Sequence, residues 1–221
     1  MENIKNLKLI MWDLDGTILD SRDSHFNAVQ RVFDNHGLKF PMNGSENFFG
    51  QTTGHIFNQV LGNSFGAEDI NEMLREKEVI FQELISTDAQ LLPGVGQWLD
   101  EIHQMKISQV IVSSTASESI LATIKALDVV RYFLKIFSGE HLPSKPDPAV
   151  FSLALKDMGV SAHECLVFED SPHGIQAAKS LGIKCIAAAI TFPWGELSAA
   201  DLVLENLEQL RLAHIRELFP D

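Results

Sequence analysis

The chain has 221 residues, 45% of them hydrophobic and 21% charged, with a formal net charge of −13. That composition suits a globular protein with a sizeable core, built as one large domain or as a domain carrying an insertion. The acid excess argues against nucleic acid or an anionic membrane surface as partner, since both need a basic patch, but not against a small anion held by a few local cations.

No long apolar run follows Met1-Glu-Asn-Ile-Lys5, and Leu9 to Trp12 is far too short to span a bilayer. We therefore expect a cytoplasmic protein with no signal peptide and no membrane span. Cys165 and Cys185 both sit in apolar stretches, which reads as two buried thiols in a reduced compartment rather than a bridge.

Leu9-Ile-Met-Trp12 reads as a strand buried on both faces, and it runs straight into Asp13-Leu-Asp15-Gly-Thr17. A bare pair of aspartates fits an acidic turn. At the carboxyl end of a buried strand it also fits a ligand site. Residues 24–36 predict a helix stopped by Gly37. Residues 38–50 are irregular, with Pro41, Gly44 and Gly50. Helices are predicted at 53–61, with Thr53 as N-cap, and at 67–85. With no strand signal between 20 and 90, residues 21–88 read as an all-helical insertion and 1–20 with 89–221 as an α/β core.

The α/β pattern resumes with a helix at 95–105. The strand Gln109-Val-Ile-Val112 follows and ends in Ser113-Ser114-Thr115. Next come a helix at 117–127 and a strand at 134–137. Ser144-Lys145-Pro-Asp147-Pro148 then opens a helix, with Asp147 as N-cap and Pro148 as first helical residue, ending at Gly159. Cys165-Leu-Val-Phe168 is a buried strand ending in Glu169-Asp170. A helix from Ser171-Pro172 to Gly182, strands at 184–188 and 202–204, and a helix at 207–218 complete the chain. Strands alternating with helices predict a Rossmann-like parallel sheet covered on both faces.

Parallel strands bring their carboxyl ends to one edge. Asp13, Asp15, Ser113, Lys145, Glu169 and Asp170 can therefore converge. So many carboxylates repel one another unless a cation joins them. An all-oxygen set suits Mg²⁺, and a lysine beside a serine hydroxyl suits a phosphate.

In these residues the chain resembles the haloacid dehalogenase-like hydrolases, in the subgroup of β-phosphoglucomutase and phosphoglycolate phosphatase. The motifs are Asp13-Leu-Asp15-Gly-Thr17, Val110-Ile-Val-Ser113, Ser144-Lys145-Pro-Asp147-Pro and Val167-Phe-Glu-Asp170-Ser-Pro-His-Gly174. Any one of these short motifs recurs by chance, and it is the four in order at strand ends that carry the resemblance. The resemblance implies Asp13 as nucleophile, forming an aspartyl-phosphate, and Asp15 as general acid and then general base. Asp13, the Asp15 carbonyl and Asp170 would hold Mg²⁺, with Glu169 a direct ligand or one shell out. Ser113, Lys145 and the backbone near Leu14 and Ser114 would hold the phosphoryl oxygens, and Thr17 would orient the first loop.

The helical insertion would be a mobile cap that selects a small phosphorylated metabolite. Gln51, Thr52 and Thr53 fall in its substrate loop. Where the mutase has an arginine this chain has Thr53, which disfavours gripping a second phosphate. Lys77 fits either a substrate contact or a lysine snorkelling at the edge of its helix's apolar stripe. His25 fits either a partner of Asp15 or an ordinary helix residue. Trp12, Trp98 and Trp194 read as packing residues. The implied activity is hydrolysis of a phosphate monoester by a monomer or weak dimer. The alternatives are a sugar-phosphate mutase and, at greater distance, a phospho-receiver switch.

Overall fold

The computed structural model describes residues 4–41 and 53–220. Gln51 and Thr52 lie outside them. The described chain forms two compact units, residues 1–20 with 90–221, and residues 21–89. The first unit is a six-stranded sheet. Its strands are β1 Leu9–Trp12, β2 Ser108–Ser113, β3 Lys135–Ser138, β4 Cys165–Glu169, β5 Lys184–Ala188 and β6 Leu202–Leu204. All pairings are parallel, in the order β3-β2-β1-β4-β5-β6. β1 is central, which is why its four residues are apolar and fully buried.

Alternation along β1 splits its side chains between two layers. Leu9 and Met11 join Val110, Val112, Cys165 and Val167 in one cluster. That cluster is closed by Val150, Phe151 and Ala154 of helix α6 (Ala149–Met158) and by Ile175, Ala177 and Ala178 of helix α7 (Pro172–Ser180). Trp12 stacks on Phe168, ring centroids 4.3 Å apart. Its indole N–H donates to Gln109 Oε1 at 2.9 Å. The Gln109 amide in turn donates to the carbonyl of Leu99 at 3.0 Å, in helix α4 (Val95–Gln104). A buried glutamine thus satisfies both a strand tryptophan and a helix carbonyl.

The second unit contains helices α1 (Arg22–Asn35), α2 (Thr53–Leu61) and α3 (Ala67–Asp88). Phe33 packs edge-on against Phe40 and Phe57. Asn35 and His36 both bond the Glu76 carboxylate, at 2.6 and 2.8 Å. The chain leaves and re-enters the sheet unit through adjacent segments. Leu19 bridges to Leu91, and the N–H of Leu92 donates to the carbonyl of Ile18 at 2.9 Å. No helix of the described residues is long and apolar enough to cross a membrane.

Several expectations need correcting. Thr53 is itself helical and so does not cap α2. α6 begins at Ala149, with Pro148 at the N-cap position. Asp147 Oδ1 accepts the Ala149 N–H at 2.9 Å, a side-chain turn that keeps Pro148 outside the helix. The predicted closing helix at 207–218 is broken. Leu207–Gln209 is one 3₁₀ turn, Leu210 is extended, and only Leu212–Leu218 (α8) is α-helical. Asn206 caps that turn, and Arg211 takes the carbonyls of Glu208 and Leu210 that a continuous helix would need. α5 covers Ser117–Ala126. Trp194 is not a packing residue: it is 51% exposed. Cys165 and Cys185 are buried and free, and burial pushes the Cys165 thiol up to about 12.

Asp201 fixes the connection from β5 to β6. Its Oδ2 accepts from Lys179 at 2.6 Å and from the Cys185 N–H at 2.8 Å, and Lys184 lies 3.2 Å from Oδ1. Burial pushes its carboxyl up, but the Lys179 and Cys185 donors and the charges beside it prevail and hold it below the ordinary range. A carboxylate depressed in the native state stabilises the fold above its unfolded pKa, and that contribution is lost as pH falls through the native value. Asp201→Asn should therefore cost about 1–3 kcal/mol near pH 7, by denaturant unfolding, with the gap to wild type closing below about pH 4.

Candidate active site

The carboxyl ends of β1 and β4 are level. Trp12 pairs with Phe168, and the Asp13 N–H donates to the Phe168 carbonyl at 3.0 Å. Asp13 and Glu169 therefore emerge side by side, and β2 on the other flank of β1 ends in Ser113. In this sheet the strand order reverses beside β1, with β2 and β3 added on one side and β4 to β6 on the other, where open α/β sheets leave a crevice for ligands.

Lys145 joins the three strands. Its side chain is 8% exposed. Nζ donates to Asp13 Oδ1 at 2.7 Å, to Glu169 Oε1 at 2.7 Å and to the Val112 carbonyl at 3.3 Å. Three ammonium protons thus meet three acceptors. Nζ also lies 5.0 Å from the centroid of the Phe151 ring. Burial disfavours the charge, but the carboxylates of Asp13 and Glu169 outweigh it and hold Lys145 above its ordinary value.

Glu169 is committed on both oxygens. Besides Lys145 on Oε1, its Oε2 accepts from the N–H groups of Asp170 and Ser171, each at 3.0 Å, and from the Ser171 hydroxyl at 2.9 Å. Ser171 is the N-cap of α7 and accepts the Gly174 N–H at 3.1 Å. Pro172 at the first helical position sets the direction of that turn.

Asp13, Glu169 and Asp170 each offer an oxygen within 4.8 Å of the others, and all three residues are buried. Burial, with Glu169 and Asp15 adding to it, pushes Asp13 up to about 8 against the pull of Lys145. Burial, then Glu169 and Asp13, raise Asp170 well above the usual carboxylate range. Three carboxyl groups facing one ammonium are under-neutralised, and the cluster could bind a metal. Its donors are all oxygen, which fits a hard divalent cation.

The loop after β1 presses on this cluster. The Leu14 carbonyl accepts the N–H groups of Thr17, Ile18 and Leu19, at 3.3, 2.9 and 3.4 Å. Gly16 turns at φ +85, and a Cβ there would fall on Asp170 Oδ2 and within 2.5 Å of Thr191 Oγ1. Glycine is needed both for the torsion and for the approach. The Thr17 hydroxyl is buried without a hydrogen-bond partner among the described residues. Asp15 is half-buried, and its Oδ2 accepts the Thr115 hydroxyl at 2.6 Å.

Ser113 is buried, and its Oγ accepts the Thr115 N–H at 3.1 Å. Ser114 is exposed. Thr115 was not singled out from the sequence, although it completes the hydroxyl run Ser113-Ser114-Thr115. Thr191, beside Asp170, carried no sequence signal.

Within the helical unit His25 stacks on Phe81, ring centroids 4.0 Å apart, and Lys77 Nζ lies 4.7 Å from the same ring. Lys77 does not snorkel. It is 1% exposed and paired with Glu78 at 2.8 Å.

A family model described as haloacid dehalogenase-like hydrolase matches residues 10–188. The chain belongs to the haloacid dehalogenase-like hydrolase family, a family of enzymes. Among its relatives is the validoxylamine A 7′-phosphate phosphatase of Streptomyces hygroscopicus subsp. limoneus. It is 29% identical over 211 residues, 94% of this chain and 98% of that protein. The fold is similar to that of CbbY from Rhodobacter sphaeroides, solved with phosphate. That match has a TM-score of 0.86 and 23% identity, and covers 94% of this chain and 98% of that one. It is also similar to β-phosphoglucomutase from Clostridium difficile, with a TM-score of 0.83 and 24% identity, covering 96% of this chain and 97% of that one.

Gly174 tests the packing around Glu169. A Cβ there would fall on the Glu169 carboxyl group. Helix propensity favours Gly174→Ala by about 1 kcal/mol. The clash opposes it, because the carboxyl group is held by four bonds and cannot swing aside cheaply. We expect a net loss of about 1–3 kcal/mol in denaturant unfolding; a midpoint raised by the full propensity gain would show that the carboxyl group yields at no cost.

Proposed function

We propose that this protein is a Mg²⁺-dependent phosphatase that hydrolyses a small phosphate monoester through an aspartyl-phosphate on Asp13. The observation that carries this reading is the buried Lys145 ammonium, held 2.7 Å from Asp13 Oδ1 at the sheet edge where Asp15 and Asp170 also emerge. A phosphoryl group arriving there meets a carboxylate nucleophile and a fixed cation. Phosphoryl transfer asks mainly for such positioning and charge neutralisation.

In this reading Asp13 attacks phosphorus in line with the leaving oxygen. Asp15 gives that oxygen a proton, then takes one from the water that cleaves the aspartyl-phosphate. Lys145 and the Ser113 hydroxyl hold phosphoryl oxygens, with the backbone at Ser114. Asp13, Asp170 and the Asp15 carbonyl would hold Mg²⁺, and Glu169, its oxygens already accepting four protein donors, sits one shell out. When bound, the ion supplies the positive charge that the under-neutralised cluster lacks, and so brings Asp13 into its ionised, nucleophilic form. Residues 21–88 are the cap that selects the ester, with His25 and Lys77 among its candidate polar groups. The phosphatase name of the Streptomyces relative agrees with hydrolysis rather than isomerisation.

Asp13→Asn should abolish phosphate release, a loss of about 10⁴ or more, while keeping the folded circular-dichroism spectrum. Activity near the wild-type level would refute the nucleophile. Chelation should stop turnover and added Mg²⁺ restore it, read as free phosphate from a panel of phosphorylated metabolites. A chelator without effect would refute the metal dependence.

A further inference from the structure

Asp15 lies past the end of β1, on the turn that Gly16 opens, and is half-buried. A carboxyl group on a turn needs something to set its torsion if it is to meet one leaving oxygen. The structure supplies Thr115, 100 residues away in sequence, whose hydroxyl donates to Asp15 Oδ2 at 2.6 Å.

Thr115 is itself fixed on both sides. Its N–H donates to Ser113 Oγ at 3.1 Å, and its carbonyl accepts the Ser138 hydroxyl at 2.7 Å. Ser113 and Ser138 pair with each other at the ends of β2 and β3, and the Gly139 N–H donates to the Ser113 carbonyl at 2.7 Å. The threonine is therefore bolted to two strand ends. Its β-branched side chain has few rotamers, so the hydroxyl has a defined place. Ser114 between them is exposed, and so Thr115 is the residue of this run that reaches Asp15.

We propose that Thr115 is a positioning residue that holds the Asp15 carboxyl group in line for proton delivery. This rests on the reading of Asp15 as general acid and base. In the first half-reaction the ester P–O bond breaks as phosphorus bonds to Asp13, and the Asp15 proton passes to the leaving oxygen. In the second, water attacks phosphorus, the bond to Asp13 breaks, and the water proton returns to Asp15. Thr115 neither gains nor loses a proton. It keeps Oδ2 engaged, so the carboxyl group faces the same way in both halves.

Proton delivery matters most when the leaving group is a poor one. An alkoxide must be protonated as it departs, whereas nitrophenolate leaves without help. The test compares kcat/KM, which reports the first half-reaction, on β-glycerophosphate and p-nitrophenyl phosphate. Thr115→Val keeps the volume and removes the hydroxyl. It should lose roughly a hundredfold on β-glycerophosphate and no more than about threefold on p-nitrophenyl phosphate. Thr115→Ser should restore both to within about threefold of wild type. If the valine variant does not fold, Thr115→Ala carries the same comparison.

Equal losses on both esters, no loss on either, or a serine variant as poor as the valine one would overturn the positioning role and leave the phosphatase reading standing. Full activity in Asp15→Asn on both esters would overturn the acid and base role of Asp15 and this proposal with it, while absence of phosphate release by wild type would overturn the phosphatase reading as well.

Discussion

One buried ammonium sets the terms for this molecule. Lys145 reaches the carboxyl ends of β1, β2 and β4 at once, through Asp13, the Val112 carbonyl and Glu169. Without it, carboxyl groups would face one another in a poorly solvated place, an arrangement that burial penalises steeply. With it, the sheet edge is held together by the charge that a phosphoryl group would meet. Stability and chemistry draw on the same atoms, and so the site is built on strand ends rather than on a mobile loop.

The backbone is drawn in tightly around that charge. Gly16 and Gly174 both lie where a side chain would collide with a carboxyl group, Asp170 for the first and Glu169 for the second. Glu169 also accepts the first N–H groups leading into α7, with Ser171 closing the helix end. An acid beside the positive end of a helix, surrounded by main-chain donors, is held without long flexible partners. Asp170 is left adjacent to it, raised by burial and by Glu169, as an oxygen donor suited to a hard cation.

Much of this could be read from the chain because the strongest signals are local. Four-residue apolar runs that end in acids mark both a buried strand and its functional end, and the spacing of such runs gave a parallel sheet. Signals that depend on packing across the fold were hidden. Gln109 reads as a polar residue at a strand start, yet it is buried because Trp12 and the Leu99 carbonyl need a partner. Trp194 reads as core and is exposed, since a 3₁₀ turn at 194–197 buries Leu197 instead. Residues 207–218 keep a helical apolar period, but side-chain bonds from Asn206 and Arg211 divide them. Lys77 lies on an apolar stripe, and its full burial depends on Glu78 and the Phe81 ring. Thr115 was missed because hydroxyl runs are common and the acid it bonds lies far away in the chain.

The paired segments where the sheet unit lets its chain out and takes it back have a consequence for how such proteins diversify. Ile18 and Leu19 are zipped to Leu91 and Leu92, so the core meets the same two ends whatever hangs between them. Lengthening a tethered loop twofold costs only about 0.6 kcal/mol of closure entropy. The paired segments therefore work as a socket: the stretch between them can lengthen or shorten while the core keeps the same two ends.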